Sequence, residues 1–298
     1  MTNIHKWFRL FAVLILLGGS VLFCFAHGKT SAPENKSAHK KSLAPAATLR
    51  LYVLDGGKLL FDDPTEYGLT KAQVAETNMA VPVFLIVHPH GALLWDTGLG
   101  DDLIGRPVSE ITLYGYGQVV TTTVASQLAA IGYTPNKIKY LAISHMHFDH
   151  VGNANDYAAS IWLVQTPEWN SVFGPGADVD TKRFNELRNS KTIKLTGDYD
   201  VFGDGTVVIK STPGHTPGHQ CLFLKLGKTG PVVLGGDLYH YPAERTYGKM
   251  PPEEAVAGGT AASRAAMDQF LKKTGATLWI QHDLIVWRTL KKSPDYYD

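Results

Sequence analysis

The sequence predicts an α/β protein in which helices pack on the outside of two β-sheets. Short apolar runs of strand length, bounded by Gly, Pro, Asp or Asn, outnumber the helical segments. The two longer segments with helical spacing fall between groups of those runs instead of alternating with them, which argues against a doubly wound parallel sheet. A hydrophobic content of 44% over 298 residues is ample for a large core.

The chain opens with MTNIHKWFRLFAVLILLGGSVLFCFAHG: Lys6 and Arg9, an apolar run from Leu10 to Phe25, then small Ala26. That is the pattern of a secretory signal cleaved after Ala26, so residues 1–26 are expected to be a signal peptide or, in the competing reading, a membrane anchor. Phe23 is too bulky for the position before a lipidated cysteine, which disfavours lipidation of Cys24. Cleavage leaves Cys221 alone and excludes an intramolecular disulfide. Residues 27–47, HGKTSAPENKSAHKKSLAPAA, hold almost nothing that could build a core and read as a disordered linker. Residues 48–298 form the predicted domain. The leader and linker carry six of the 28 Lys/Arg and one of the 27 Asp/Glu, which leaves the domain at −4. A mildly acidic body excludes nucleic acid as the main partner.

From Thr48 onward LRLYVLDGG, MAVPVFLIVH, GALLWDTG, IKYLAISH, SIWLVQ, VVIKSTPGH, QCLFLKLG, PVVLGGD and ATLWIQHD all read as strands. Residues 119–131 and 259–273 read as helices by spacing and Ala-rich composition. Residues 98–117 and 240–258 are long, bear Gly and Pro, and are weakly periodic, which makes them candidate loops over a site.

Several of these strands stop abruptly at a residue able to bind a metal. Ile143 leads to His145 and His147, Ser211 to His215, Gly236 to Asp237, and Gln281 to His282. Imidazole and carboxylate suit zinc, iron, manganese or cobalt, and the lack of clustered thiolates excludes a structural cysteine-type zinc site. In an extended loop His145 and His147 point to one side, while Asp149 and His150, past a turn, can face a second point. Pro213 and Gly214 fix the turn before His215, and the two oxygens of Asp237 could bridge two cations. Other histidines read as bland: His88 and His90 as a solvated turn, His5, His27 and His39 as leader, and His219 as a structural group behind the ligands. Cys221 reads as core.

HMHFDH, TPGHTPGHQ, GGD and a late QHD together resemble the metallo-β-lactamase superfamily, over most of the chain from about Thr48 to about Trp287. The resemblance implies an αβ/βα four-layer sandwich with metals at the sheet edges. It implies that His145, His147 and His215 hold one divalent metal, that Asp149, His150 and His282 hold a second, and that Asp237 bridges them. Zinc comes first among the candidates, with cobalt, manganese or iron compatible. Asp96 of WDTG matches a motif that supports a ligand histidine from behind. A bridging aspartate, TPGHTPGHQCLF and GGDLYH look most like the N-acyl homoserine lactonase branch. Many lactonases carry a tyrosine three residues after that aspartate; here the position is His240, with Tyr239 one earlier, so either is a candidate oxyanion donor.

The resemblance implies opening of the lactone ring of N-acyl homoserine lactones, that is quorum quenching, by a hydroxide bridging the metals. Asp149 would pass the proton to the leaving ring oxygen. Tyr114, Tyr116, Trp169, Phe173 and Tyr241 are candidate walls for an acyl slot. The alternatives are a glyoxalase II-like thioesterase, an exported β-lactamase-like hydrolase and, outside enzymes, a noncatalytic exported binding module. The expected location is periplasmic or secreted, or else anchored in the inner membrane facing the periplasm. Membrane contact is expected only if the leader is retained, and a homodimer is left open.

Overall fold

Residues alternate sides along a strand, so the apolar pattern of each strand decides what its two faces must cover. The computed structural model of the chain describes residues 48–252 and 254–298; the expected leader and linker lie outside the described residues. Strands β1 (Arg50–Leu60), β2 (Met79–His88), β3 (Gly91–Trp95), β4 (Thr112–Leu113), β5 (Tyr116–Val119), β6 (Tyr140–Ala142), β7 (Ile161–Gln165) and β8 (Thr192–Leu195) form one sheet in the order β4-β5-β1-β2-β3-β6-β7-β8. Strands β9 (Tyr199–Asp200), β10 (Val207–Ser211), β11 (Gln220–Lys225), β12 (Pro231–Leu234) and β13 (Thr277–Trp279) form a second, in the order β13-β12-β11-β10-β9.

Leu51 and Val53, Phe84 and Ile86, and Leu93 and Trp95 face Val207, Ile209, Leu222, Leu224, Val232 and Leu234 in the core between the sheets. The alternate residues Tyr52, Leu54, Val83, Leu85, Ala92 and Leu94 face outward. They are covered by Val124 and Leu128 of α1 (Val124–Ala130) and by Val172 and Phe173 of α2 (Thr166–Phe173). A five-residue helix, α3 (Pro242–Thr246), follows β12. On the other side Cys221, Phe223 and Val233 meet Met267 and Leu271 of α4 (Gly259–Thr274), and α5 (Leu284–Thr289) follows β13. The layers are therefore helix, sheet, sheet, helix, as expected of an αβ/βα sandwich.

Pro82 sits inside β2, where a missing N–H should break the ladder. The β1–β2 register shifts between Asp55 and Lys58, opposite that proline, so a bulge absorbs the lost donor. The helix expected over residues 119–131 begins at Val124 instead. The Thr run at residues 121–123 resists helix, and the Thr123 hydroxyl caps it by accepting from Ser126 N. Strands β4, β5, β8 and β9 and helices α2, α3 and α5 are too short to show periodicity in sequence. The expected loop over residues 98–117 contains β4 and the start of β5, and that over residues 240–258 contains α3. The solvated turn expected at His88 is a correction: its ring stacks on Phe202 at 4.0 Å and its Nε2 lies 2.9 Å from Asp204, while His90 is exposed. Cys221 is core as expected, and burial pushes its thiol up to about 12.

Strands β3 and β6 run parallel, as do β12 and β13, so the loops leaving them emerge together at one edge of the sandwich. Those loops begin with Asp96, Ile143, Gly235 and Ile280. Replacing Leu222, fully buried between the sheets, with Ala is expected to cost about 2–5 kcal/mol. A shift in the denaturation midpoint without a change in slope would register it.

Candidate metal centre

Four strand-end loops bring His145, His147, His215 and Asp237 into one group, with candidate ligand atoms within 4.8 Å of one another, and Asp149, His150 and His282 into a second. His215 Nε2 lies 3.2 Å from His145 Nε2 and 3.0 Å from His147 Nδ1. Asp237 Oδ2 lies 3.5 Å from His145 Nε2 and 3.4 Å from His215 Nε2. Ligand atoms about 2.0–2.1 Å from a tetrahedral cation are roughly 3.3–3.4 Å apart, so these spacings outline a cation seat. The other oxygen, Asp237 Oδ1, faces the second group at 3.2 Å from His150 Nε2 and 3.1 Å from His282 Nε2. Asp149 Oδ2 completes that group at 3.6 Å from His150 Nε2 and 3.5 Å from His282 Nε2.

The ring tautomers fit such an ion. His282 Nδ1 donates to Ala80 O at 2.7 Å and His150 Nδ1 points to Asp96 Oδ2 at 3.0 Å, which leaves each Nε2 lone pair facing Asp237. His150 Nε2 and Asp237 Oδ1 are both buried without a hydrogen-bond partner. Two acceptors facing each other in a buried site are costly unless a cation or a proton lies between them. The donor set, imidazole and carboxylate alone, suits a divalent metal.

Charge is balanced tightly. Burial would raise the Asp237 carboxyl, but His282, His150 and His145 outweigh it and hold it well below the usual carboxylate range. Burial pushes His145 well below the ordinary imidazole value, against the pull of Asp237. His240 goes the other way: burial opposes its charge, but Asp237 and Glu244 raise it to about 9.

Behind the ligands sits Asp96, fully buried, in the left-handed region at φ 59. Its carboxylate accepts from Ser144 N at 2.6 Å, Ser144 Oγ at 3.1 Å and Gln281 Nε2 at 2.8 Å as well as His150. These contacts hold a conformation that L-residues otherwise avoid. Gln281 Oε1 accepts from Gly236 N, tying Asp96 to the loop that carries Asp237. Gly236, at φ 51, has no room for a side chain, since a Cβ would come 2.7 Å from His219 Nε2. His219 is the structural group expected of it, accepting from Asp237 N at 2.9 Å.

Of the candidate oxyanion donors, His240 lies in the site, its Nε2 3.4 Å from Asp237 Oδ2 and its ring stacked over His282. Tyr239 is a correction. Its ring points into the core on the far side of the second sheet, beneath the Arg264 guanidinium at 4.0 Å, because successive side chains leave the turn on opposite sides. Phe173 of α2 is core, and Trp169 of the same helix, half-buried, packs against that cluster. Tyr116 lies near the site, and Tyr114 is exposed 5.8 Å from the ring of Phe148. Tyr241 is buried and donates to Thr77 O. Sequence reasoning missed Tyr67, whose ring lies 4.2 Å from His240 and whose hydroxyl is 2.6 Å from that of Tyr116. It also missed Glu244, which accepts from the amides of His240 and Tyr241 and pairs with Arg264. Neither carries a local signal: Tyr67 ends a single 3-10 turn, Pro64–Tyr67, too short to show periodicity, and Glu244 gains its meaning only from Arg264, 20 residues on.

Comparison with known proteins gives a consistent result. Residues 77–282 match the model of the metallo-beta-lactamase superfamily. The N-acyl homoserine lactonase AttM of Azorhizobium caulinodans is 30% identical over 261 residues, covering 84% of this chain and 99% of that protein. The N-acyl homoserine lactonase AiiA of Bacillus thuringiensis subsp. kurstaki is 25% identical over 257 residues, covering 83% and 98%. Among solved structures, an N-acyl homoserine lactone hydrolase with N-hexanoyl-L-homoserine at its catalytic metal centre superposes with a TM-score of 0.71 at 22% identity. It covers 84% of this chain and all of that one.

Burial pushes His219 down to about 3, so the unfolded chain binds the extra proton between that value and the ordinary imidazole pKa of about 6.5. Stability of the metal-stripped protein should therefore fall as pH drops through this window. In His219→Gln the slope of unfolding free energy against pH should be shallower by about one proton. An unchanged slope in denaturant titrations between pH 6.5 and 4 would count against the assignment.

Proposed function

This chain belongs to the metallo-β-lactamase superfamily, and we propose that it is a metal-dependent hydrolase that opens the lactone ring of N-acyl homoserine lactones. The observation that carries the reading is Asp237, with one oxygen facing each group of ligands. AttM and AiiA, similar over nearly their whole lengths, are N-acyl homoserine lactonases, which supports the choice of substrate.

In this reading His145, His147 and His215 hold one divalent ion, Asp149, His150 and His282 a second, and Asp237 lies between them, with zinc the first candidate. Bound there, the two cations supply Lewis acidity and bring the ionisation of a water close to neutral pH. Asp149, beside His150 and His282, takes the proton of the attacking water and returns it to the alkoxide that leaves when the ring C–O bond breaks. His240 donates from Nε2 to the oxygen that gains charge at the attacked carbonyl. The Glu244 carboxylate, 3.5 Å behind Nδ1, supports that donor, and the amides of His240 and Tyr241 anchor Glu244 in turn. The ring of Tyr67, tilted at 4.2 Å, and the parallel ring of His282 at 6.0 Å pack beside the His240 imidazole. The chain needs no covalent intermediate.

The leader pattern of residues 1–26 supports export, and fractionation of expressing cells with sequencing of the mature N-terminus tests it: an uncleaved cytosolic product would reject it.

The function is tested with a lactone panel read by acid release on metal-analysed protein. Ring opening of acyl homoserine lactones is expected; turnover confined to a cephalosporin or a glutathione thioester would overturn the reading. Asp237→Asn is expected to drop bound metal below two per chain and abolish turnover, as is His150→Ala, and elemental analysis beside kinetics checks both. His240→Ala should lower kcat by about 10²–10³-fold with metal content unchanged.

A further inference from the structure

We infer that Glu168 is a positioning residue that sets the geometry, and hence the metal affinity, of the seat formed by His145, His147 and His215 independently of the second seat. The inference rests on the two-seat reading above.

Glu168 lies in the first turn of α2 and is 2% exposed. One carboxylate oxygen, Oε1, accepts from Met146 N at 2.8 Å, and the other, Oε2, accepts from Gly218 N at 2.8 Å. Met146 stands between His145 and His147, and Gly218 stands three residues after His215. A single side chain from a helix thus fastens both loops that present the imidazoles of the first seat, at amides 72 residues apart. Neither amide belongs to the loops carrying His282 or Asp237; Met146 shares its loop with Asp149 and His150, but Asp96 fixes the His150 ring separately, at 3.0 Å from its Nδ1.

A buried carboxylate costs more than a neutral side chain unless its hydrogen bonds repay it. Here both partners are backbone donors, and only a carboxylate offers two acceptor atoms at that separation. A glutamine would place an NH2 group against one of the amides, donor against donor. Space enforces the same pairing. A Cβ on Gly218 would come within 2.5 Å of the backbone nitrogen and of the Cβ of Glu168, so the loop carrying His215 can close on the helix only at a glycine. The clamp is therefore built by three elements at once, and it acts on the ligands through their backbone, touching no imidazole. Partners behind metal ligands commonly change metal affinity by about 10–100-fold.

The test uses Glu168→Gln and Glu168→Asp in the full chain, with zinc affinity of each site read by chelator competition. The visible spectrum of the cobalt-substituted protein separates a seat dominated by histidine from the mixed seat. Glu168→Gln should weaken one of the two sites at least ten-fold, leave the other within two-fold, and perturb the cobalt bands of the histidine-rich seat. Glu168→Asp, which keeps both acceptors on a shorter stem, should recover part of the loss. Equal weakening of both sites, no weakening of either, or failure of both variants to fold without metal would each overturn the inference by assigning Glu168 to the fold alone. If the unaltered chain binds no metal, the two-seat reading itself fails; if it binds two and Glu168→Gln does too with equal affinity, only the role of Glu168 fails.

Discussion

The carboxylate of Asp237 is the constraint on which the site turns. It is 4% exposed, sits after a glycine forced into a left-handed turn, and has imidazole nitrogens on both sides at 3.1–3.5 Å. Burial alone would push this carboxyl up; the imidazoles around it pull it the other way, well below the usual carboxylate range. Because each oxygen serves a different set of rings, moving the one side chain would disturb both seats. The sandwich exists, functionally, to deliver this arrangement: strands from two sheets stop at one edge and release their loops toward a common point.

Around that point the ligands are fixed by a second tier of buried acids. Asp96 collects donors from two separate loops, Glu168 clamps two, and Glu244, neutralised by Arg264, accepts the amides that follow Asp237. Taken together, most of these donors are backbone amides or the rear nitrogen of a ligand ring. The rings are oriented before any ion arrives, so binding need not freeze floppy loops, and the entropy is lost on folding instead. The strained backbone of Asp96 belongs to the same economy, held by hydrogen bonds that a relaxed conformation would lose.

Much of this was legible in the sequence because the motifs are local. HMHFDH, GGD and QHD put metal-type residues directly after apolar runs, and the near-continuous apolar runs of β2, β3 and β11 predict burial on both faces. What sequence could not show depends on distant partners. Glu168 and Glu244 look like surface acids until Met146, Gly218 and Arg264 fold against them. Tyr239 and His240 are adjacent and chemically plausible alike; only the direction of the turn after Asp237 sends one into the core and the other into the site. His88 reads as solvated because its partners, Phe202 and Asp204, lie in the other sheet's loops. The helix expected over residues 119–131 starts only at Val124 because the β-branched threonines in front of the Ala-rich run resist helix.

The central claim is that two cations occupy opposite sides of one carboxylate. Anomalous diffraction at the zinc edge from crystals of the zinc-loaded protein tests it directly. The account expects two peaks flanking Asp237, one among His145, His147 and His215 and the other among Asp149, His150 and His282. A single peak, or two peaks on the same side of Asp237, would contradict it.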